Sequence, residues 1–570
     1  MVGSKLKAKR CISRNCTTSL YSAIKTENHK CFPVLCFVYT MEIEHAYRKL
    51  IRKIINNEIT DSKSLNKAKK KIAKICGLNK IPSNADVLTF CNDDEKTAVL
   101  HMVQKKPVRT ISGVAVIAAM TSPAPCPHGK CMPCPGGPDT PFKSAQSYMG
   151  SEPASLRAVE HNYHPYKQVA ARIRQLRIIG HPVDKAELIV MGGTFTARDT
   201  SYQQWFVKEC FAALNDCGKP ENNRSNLSLL ELQRINETAG IRNVGMTIET
   251  RPDYSKEKHI DGILKLGATK VELGVQTTDN TILKNINRGH TVEDTIQANT
   301  LLRDSCFKVG FHIMPGLPGT TPANDLQVFK KLFENSDFMP DYLKIYPTLV
   351  TEGTELEKLW RAGDYTPLEN DVAVELIAQV KSILPMYVRL QRVQRDIPVQ
   401  QILAGVTKSH IRQLAAKRLA EMGKICQCIR CREVGHQQLK GRYPESVTQQ
   451  ILTYPACGGI EHFISYEDVI HKIVIGFVRL RFPYHTHRSE LENAALIREL
   501  HVYGKLVPVG TKDKEAWQHQ GYGEKLLHTA EETAQDAGYK KIAIISGIGA
   551  REYYHKLGYE REGCYMIKRL

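Results

Sequence analysis

Residues 113–134 read GVAVIAAMTSPAPCPHGKCMPC, an apolar stretch followed directly by a loop with three cysteines. The uncharged stretch 113–120 is typical of a strand that is buried on both faces of a sheet. Cys126, Cys131 and Cys134 follow it with C-x4-C-x2-C spacing. A structural zinc ion normally takes four protein ligands, whereas a [4Fe–4S] cluster held by three cysteines keeps one iron open. The rest of the sequence decides between these two kinds of site.

Apolar segments of strand length recur along the chain, and segments of helix length separate them. They are residues 113–120, 186–193, 243–250, 270–276, 309–316 and 342–349. Repeated strand–helix units predict a parallel sheet, and their number is enough for a partial or full (β/α) barrel. We therefore predict the fold class α/β, with a barrel over residues 106–390.

Polar residues and glycines stand where several of these strands end. They are Gly192, Gly193, Thr194, Glu249, Arg251 and Gln276. Functional residues of parallel barrels lie at the carboxyl ends of the strands. We therefore expect these six residues to surround the loop with the three cysteines.

Residues 461–570 contain strands, a helix and a further strand, which predicts a separate small α/β domain. The segment 518-QHQGYG-523 precedes its helix and has the Q/R-x-x-G-x-G/A pattern that is typical of GNAT acetyltransferases. Backbone N–H groups at a helix N-terminus bind a pyrophosphate, and glycines allow its close approach. The predicted coenzyme A-binding residues are Gln518, His519, Gln520, Gly521, Tyr522 and Gly523.

A pair of tyrosines follows the next strand of this domain, in 551-REYYHKLGYE-560. In GNAT enzymes a tyrosine at this place can protonate the departing coenzyme A thiolate. Tyr553 and Tyr554 are therefore the candidate catalytic residues. The alternative is that both are packing residues on a helix.

A second cysteine group, 426-CQCIRC-431, lies in a connector that we place at residues 391–460. Its compact spacing and its distance from any barrel strand favour a structural zinc ion on Cys426, Cys428 and Cys431. Cys457 is the first choice for the fourth ligand, with His410 and His436 as alternatives. Free thiols are the other interpretation.

Positive charge is concentrated at the start of the chain. The 570 residues include 79 Lys/Arg and 59 Asp/Glu, a net charge of +20, and residues 1–80 alone contain 18 Lys/Arg and 5 Asp/Glu. We interpret residues 41–105 as a basic helical region that binds RNA; solubility alone is the alternative. Residues 1–40 are expected to be a disordered or mis-annotated extension. The apolar run 31–41 is too short to span a bilayer, so we expect a cytoplasmic protein without membrane contact.

Short segments from about residue 65 to the C-terminus resemble a known family. They include 106-KPVRTISGVAVIAAM-120, 191-MGGTF-195, 249-ETRPDY-254 and 287-NRGHTV-292. These segments are similar to the catalytic subunit of Elongator in its single-chain archaeal or bacterial form. Two features depart from the usual radical S-adenosylmethionine loop: the first spacing is x4 instead of x3, and Pro133 replaces the common aromatic residue.

The resemblance implies a role for each group of residues. Cys126, Cys131 and Cys134 would hold a [4Fe–4S] cluster whose open iron binds S-adenosylmethionine, and the Gly192–Thr194 segment would contact its amino group. Glu249 and Arg251 suit ribose hydroxyls and the substrate carboxylate. The GNAT domain would bind acetyl-coenzyme A.

The resemblance also implies a reaction. A 5′-deoxyadenosyl radical would take hydrogen from the acetyl methyl group, and the carbon radical would add to C5 of a tRNA wobble uridine, leaving a carboxymethyl group after thioester hydrolysis. The anticodon stem-loop would be the RNA partner. The alternatives are a protein lysine acetyltransferase and a non-enzymatic tRNA-binding scaffold gated by acetyl-coenzyme A. A homodimer stays open, the partner subunits of eukaryotic Elongator cannot be inferred, and Lys270 and Lys344 lie near strand ends without an assigned role.

Overall fold

The computed structural model describes residues 33–78, 80–104, 107–217, 226–504 and 520–570. The chain forms two compact units, residues 1–107 with 175–181 and residues 108–174 with 182–570. Of the expected disordered extension, residues 1–32 lie outside the described part. Residues 33–40 are helical, which corrects the expectation for these eight positions. Pro33 is the first described residue of this helix, and proline is well tolerated in a first turn.

The first unit is helical. Its helices are α1 (Pro33–Ile55), α2 (Ser62–Ile75), α3 (Asn84–Thr89) and α4 (Asp93–Val103). Asp61, Ser83 and Asn92 cap the last three, each accepting hydrogen bonds from backbone N–H groups of the first turn. Apolar side chains of all four helices form one core. The lysines that remain exposed on α2 are Lys63, Lys67, Lys70, Lys71 and Lys74.

The second unit begins with a parallel sheet. Its strands are β1 (Ala115–Met120), β2 (Lys185–Met191), β3 (Arg242–Thr250), β4 (Lys270–Gln276), β5 (Lys308–Ile313), β6 (Tyr342–Ile345) and β8 (Arg389–Arg392), while β7 (Val350–Thr351) pairs with β9 (Ile402–Ala404). The order β1-β2-β3-β4-β5-β6-β8 follows the chain, and all these pairs are parallel. Sequential order is the arrangement of a barrel. Within the described residues β1 and β8 do not pair, so the barrel is partial.

Helices follow most of these strands. They are α5 (Pro153–Glu160), α6 (Pro165–Ile178), α7 (Thr200–Asn215), α8 (Leu229–Asn236), α9 (Glu257–Leu266), α10 (Asn280–Asn285), α11 (Val292–Asp304), α12 (Pro322–Glu334), α13 (Glu355–Ala362), α14 (Asn370–Ile383), α15 (Ile411–Glu421), α16 (Ile429–Arg432) and α17 (Val434–Gln438). None of the helices that the structure describes has both the length and the apolar character needed to span a bilayer.

A second sheet completes this unit. It contains β10 (Thr448–Ala456), β11 (Gly459–Asp468), β12 (Ile473–Phe482), β13 (Ala495–Val502), β14 (Lys541–Ile544), β15 (Glu560–Glu562) and β16 (Tyr565–Arg569), with helices α18 (Tyr522–Asp536) and α19 (Arg551–His555). Its order is β10-β11-β12-β13-β14-β16-β15. The sheet begins at β10, which is earlier than the boundary at 461 predicted from the sequence. The alternation of apolar and polar residues that predicts a strand is absent from most of β10, because this edge strand is exposed on both faces from Thr448 to Thr453.

Buried ion pairs join the amino ends of the parallel strands to the second sheet. Arg498 of β13 donates to both carboxylate oxygens of Asp341, which precedes β6, at 2.7 Å each. Arg498 also pairs with Glu461 of β11 at 2.8 Å. Glu461 in turn pairs with Arg303, near the end of α11, at 3.0 Å. All four residues are at most 1% exposed, so the charges compensate one another out of contact with water.

Further charged pairs extend the same network. Arg481 of β12 pairs with Asp304 at 2.7 Å. Arg479 of β12 pairs with Glu499 of β13 at 2.9 Å, and the Tyr342 hydroxyl donates to Glu499. The second sheet therefore packs against the end of the parallel sheet opposite to its carboxyl ends.

Candidate active site

The loop with three cysteines follows β1 at the carboxyl ends of the parallel strands. Eight of the residues predicted from the sequence line one cavity there: Cys126, Cys131, Cys134, Gly193, Thr194, Glu249, Arg251 and Gln276. They come together because parallel strands end at the same edge of a sheet.

Gly192 and Gly193 shape the turn after β2. Their φ angles are +124° and +92°, a region that side chains other than glycine rarely adopt. A Cβ atom on Gly193 would lie 2.8 Å from Cβ of Gln146, and one on Gly192 would collide with Thr121. Gly192 therefore packs against Thr121, away from the cavity, while Gly193 lines the cavity.

Gln276 is held in a strained conformation where β4 ends. Its φ angle is +71°, in the left-handed region. Its buried Oε1 and the buried Nε of Arg288 have no hydrogen-bond partner within the described residues, and both residues line the cavity. Backbone strain and unpaired buried polar atoms concentrate where a protein binds a ligand.

Each of the three thiols has a hydrogen-bond donor beside it. The donors and their distances to sulfur are Thr194 Oγ1 at 3.4 Å and Arg251 Nη1 at 3.9 Å for Cys126, Arg288 Nη1 at 3.5 Å for Cys131, and Gln146 Nε2 at 3.4 Å for Cys134. Hydrogen bonds and positive charge stabilise cysteine thiolates and tune the potential of an iron–sulfur cluster.

The separation of the three sulfur atoms favours a cluster over a single ion. A tetrahedral zinc ion with Zn–S bonds of about 2.3 Å places its sulfur ligands about 3.8 Å apart. Wherever the structure describes the chain, the groups of candidate ligand atoms that lie within 4.8 Å of one another do not include Cys126, Cys131 and Cys134. The sequence also allows a zinc site made of the three cysteines and His128, and His128 Nε2 does lie 3.0 Å from the Cys131 sulfur, but the three sulfur atoms are too far apart for one ion. The donor set therefore fits a cluster, whose irons hold thiolates farther apart.

One wall of the cavity carries a compact group of charges, of which Glu249 was predicted from the sequence as a site residue and the others were not. Lys344 of β6 donates to Oε1 of Glu249 at 3.2 Å and also to Glu272 of β4. Nε2 of His312 lies 3.0 Å from Glu272, and the Tyr148 hydroxyl donates to Glu249 at 3.0 Å. No sequence signal marks Glu272 and His312, because they lie within strands and not after them.

The charge on Lys344 is fixed by its neighbours. Burial opposes the charge, but the carboxylates of Glu272 and Glu249 raise the pKa of Lys344 above its usual value. Burial and the nearby ammonium of Lys344 lower the pKa of His312. At neutral pH the wall therefore presents an ammonium between two carboxylates, with a neutral imidazole beside them.

The second sheet contains a split next to the predicted coenzyme A loop. β13 and β14 pair in parallel only through Ala495–Ile497 and Ile542–Ile544, while β13 continues to Val502. α18 begins after Gly521, whose φ angle is +77°. Its first backbone N–H groups have no partner within the helix and suit an anionic group. Gln520, Gly521, Tyr522 and Gly523 lie at this terminus, whereas Gln518 and His519 lie outside the described residues.

The two candidate tyrosines have different environments. Tyr554 is 7% exposed and packs in the core of the second sheet. Tyr553 is 37% exposed, and its hydroxyl would lie 2.7 Å from a Cβ atom placed on Gly523. Burial and the Glu524 carboxylate raise the pKa of Tyr553 to about 12. Tyr553 is therefore the member of the pair that faces the start of α18 with a protonated hydroxyl.

The second cysteine group is tighter than the first. The sulfur atoms of Cys426, Cys428 and Cys431 all lie within 4.8 Å of one another, as one ion requires. Lys381 lies beside them, with Nζ 3.7 Å from Cys431. His436, an alternative fourth ligand, pairs with Glu433 at 3.1 Å.

The prediction of Cys457 as the fourth ligand is wrong. Its thiol is not part of the tight group. It is buried where it accepts from Nδ2 of Asn299 at 3.0 Å and donates to the carbonyl of Asp337 at 3.4 Å. Cys457 follows the edge strand β10, and the course of that strand carries it away from the other three cysteines.

Comparison with known proteins agrees with this architecture. Residues 43–111 match the ELP3 N-terminal domain, 126–332 the Radical SAM superfamily, 340–421 the Radical_SAM C-terminal domain and 430–559 the Acetyltransferase (GNAT) family. The tRNA uridine(34) acetyltransferase of Methanocaldococcus jannaschii is 53% identical over 497 residues, which cover 86% of this chain and 90% of that protein. The chain belongs to the Elongator complex protein 3 family.

Other members of the family support this assignment. Elongator complex protein 3 of Homo sapiens is 42% identical over 516 residues, covering 89% of this chain and 93% of its own. The structure of Methanocaldococcus infernus Elp3 without its N-terminal residues 1–46 matches with a TM-score of 0.71 and 48% identity, covering 81% of this chain and all of that one. The resemblance and the fold class predicted from the sequence are both confirmed.

Proposed function

We propose that this chain modifies the wobble uridine of tRNA by joining radical S-adenosylmethionine chemistry to acetyl-coenzyme A. The observation that carries the proposal is the pairing of two candidate sites in one compact unit. One is the cavity with three cysteines, and the other is the split sheet with its glycine-rich helix start. The relative from Methanocaldococcus jannaschii is named a tRNA uridine(34) acetyltransferase.

In this proposal Cys126, Cys131 and Cys134 hold the [4Fe–4S] cluster. Bound there, the cluster and S-adenosylmethionine supply the radical that takes a hydrogen atom from the acetyl methyl group. The chain's own residues orient the reactants. The turn at Gly193 and Thr194 offers backbone groups to the methionine moiety. Arg251, 3% exposed, donates from Nε and Nη2 to Asp253, and its Nη1, 3.9 Å from Cys126, is the part of the guanidinium that faces the cluster loop.

The GNAT domain binds acetyl-coenzyme A in the second site. The backbone N–H groups at the start of α18 bind the pyrophosphate, together with the 518–523 loop. Tyr553 then protonates the coenzyme A thiolate when hydrolysis breaks the thioester. By then the methyl carbon would have replaced the hydrogen on C5 of the uridine: the adduct radical would give one electron to the oxidised cluster and lose the C5 proton, so that a carboxymethyl group remains.

The RNA is held mainly through its phosphates. The exposed lysines of α2 form a strip of positive charge on the first unit, and phosphate contacts of this kind supply affinity without base specificity. The anticodon stem-loop is the part of the tRNA that carries the reacting base. In this proposal Cys426, Cys428 and Cys431 hold a structural zinc ion in the connector.

The decisive experiment is anaerobic and uses the full chain. After reconstitution with iron and sulfide, the protein is incubated with S-adenosylmethionine, acetyl-coenzyme A and unmodified tRNA, and digested nucleosides are analysed by mass spectrometry. We expect 5-carboxymethyluridine, and we expect Cys131→Ala to abolish it. Cys564→Ala is the matched control, because this thiol lies outside both cysteine groups.

Acetylated lysines on protein substrates without any modified uridine would contradict the proposal and support the protein acetyltransferase alternative. Stable tRNA binding with neither product, from protein that carries its cluster, would support the scaffold alternative.

A further inference from the structure

The ammonium of Lys344 has a hydrogen-bond donor that the protein leaves unused. A lysine ammonium carries three donors. Glu249 accepts one at 3.2 Å and Glu272 accepts another. Across the described residues no third acceptor lies within hydrogen-bonding distance of Nζ. Lys344 lines the cavity and keeps 11% of its side chain exposed, so the third donor is available to a molecule bound there.

A second buried lysine in the same barrel gives a direct contrast. Lys270 of β4 pairs with Glu187 at 2.9 Å and with Glu272 at 3.5 Å. With the Gln391 amide oriented so that its oxygen faces Lys270, a third acceptor lies at 3.2 Å. Lys270 does not line the cavity. Lys270 therefore has three acceptors of the protein within 3.5 Å of Nζ, whereas Lys344 has two and keeps a donor for a ligand.

The arrangement is costly if it serves stability alone. Removing an ammonium and two carboxylates from water is expensive, and apolar residues of similar volume are often at least as stable. Barrel interiors of this type are ordinarily filled by branched apolar side chains. A buried ammonium with a free donor, in the same cavity as the three cysteines and the unpaired Gln276 Oε1, is the pattern of a binding group.

We propose that Lys344 donates its third hydrogen to a carbonyl oxygen of the substrate that reacts in this cavity. The inference rests on the proposed function. That function offers two carbonyl sources, the 4-carbonyl of uracil and the thioester carbonyl of the acetyl group. The adjacent Glu249 and Glu272 add acceptors, which match the N3–H group next to the 4-carbonyl.

The two possible acceptors, the uracil carbonyl and the thioester carbonyl, give Lys344 different roles. Cytosine has an amino group where uracil has its 4-carbonyl, so an ammonium would face a second donor and reject cytosine. A thioester carbonyl gives no such preference between bases. Lys344 therefore determines base specificity in the first case and acetyl-coenzyme A binding in the second.

The test compares binding of two anticodon stem-loops, which differ only in uridine or cytidine at the wobble position, to the anaerobic holoenzyme. Wild type is measured beside Lys344→Met, Lys344→Arg and Lys270→Met, and the KM for acetyl-coenzyme A is measured for each. If uracil is the acceptor, Lys344→Met reduces the preference for uridine at least tenfold, while Lys270→Met keeps it. If the thioester is the acceptor, Lys344→Met leaves the preference unchanged and raises the KM at least tenfold.

Folding is controlled by the melting temperature of each variant. Lys344→Arg retains a positive charge between the two carboxylates. If a well-folded Lys344→Arg loses the preference for uridine or raises the KM for acetyl-coenzyme A, the position of the lysine donor matters and not only its charge. The inference is overturned if both readouts in Lys344→Met equal those in Lys270→Met. Failure of the proposed function is distinct, because wild type itself then produces no carboxymethyluridine.

Discussion

The two ends of the parallel sheet are both rich in charge, but they differ in how the charge is matched. At the amino ends, Arg498, Asp341 and Glu461 lie within 2.8 Å of a partner and are at most 1% exposed. At the carboxyl ends a cavity opens, and Gln276 Oε1 and the third donor of Lys344 have no partner within the described residues. In the network, Arg479 Nη1 also lacks a hydrogen bond, but it lies 3.5 Å from the Asp341 carboxylate. The comparison therefore indicates that close pairing of opposite charges distinguishes the structural network from the binding site more than charge itself does.

Replacing Cys131 by alanine should have the largest effect on the carboxyl ends. We expect carboxymethyluridine formation to fall to background, because two thiolates do not retain the cluster. Bound iron per chain, measured together with the melting temperature, checks this result. If Cys131→Ala protein stayed active with normal iron content, the loop with three cysteines would not be the site that holds the cluster.

Replacing Asp341 by asparagine tests the amino ends. Three arginines face this carboxylate, Arg498 at 2.7 Å, Arg479 at 3.5 Å and Arg303 at 3.6 Å. After the change two carboxylates, Glu461 and Glu499, face these three guanidinium groups, so that one buried positive charge is left uncompensated. We expect a loss of about 3–5 kcal/mol in the free energy of unfolding, with activity per folded molecule retained. Urea unfolding followed by circular dichroism measures the loss.

Asp371→Asn is the matched control for Asp341→Asn. Asp371 pairs with Lys408 at 2.9 Å, but its side chain is 90% exposed, so water already screens the interaction. We expect little change in the urea midpoint. Equal effects of the two substitutions would contradict the structural role of the network.

Tyr554 and Tyr553 give a second comparison, between a side chain buried in the core and one that faces a candidate site. Tyr553→Phe should slow acetyl-coenzyme A hydrolysis about a hundredfold, because a positioned proton donor contributes about 10²–10⁴-fold. Tyr554→Phe should leave the rate within a few-fold, since its ring belongs to the core. Release of the free thiol in the presence of tRNA measures both rates. A larger effect at Tyr554 would reverse the assignment.

The smallest expected effect is a pH dependence of stability, which comes from Asp325 near the carboxyl ends of the strands. Burial raises the pKa of Asp325 from 3.8 to about 6, although Gly316 N–H donates to it at 2.7 Å. A raised pKa in the folded state means that protonation stabilises the fold. The contribution is complete below the unfolded pKa and is lost as the pH rises through about 6.

Asp325→Asn should therefore flatten the decline in melting temperature between about pH 4 and pH 7. The exposed Asp364→Asn is the control and should leave the profile as in wild type. An unchanged profile in Asp325→Asn would show that this carboxylate does not titrate in that range.

Strand ends could be predicted from the sequence because their signals are local. A buried parallel strand is an uninterrupted apolar run, so the first polar residue or glycine after it marks the carboxyl end. This rule correctly brings Gly193, Glu249 and Gln276 to the cavity. It fails for Glu272 and His312, because the sequence does not show which partner a polar residue inside an apolar strand meets across the barrel.

Contacts between distant segments could not be predicted in the same way. Cys457 follows the other three cysteines in the sequence, but the exposed edge strand β10 lies between them and carries Cys457 away from the group. The arginine network is equally invisible in the sequence, since Arg303 and Glu461 are 158 positions apart. Only the packing of the second sheet on the amino ends brings them together.

The arginine network also restricts how this protein can be recombined with its relatives. A chimera that takes its barrel from one member and its acetyltransferase sheet from another inherits Asp341 and Arg303 from the first parent and Arg498 and Glu461 from the second. If either parent has exchanged a partner, the hybrid buries an uncompensated charge at the junction. A functional graft therefore has to transfer both faces of the junction.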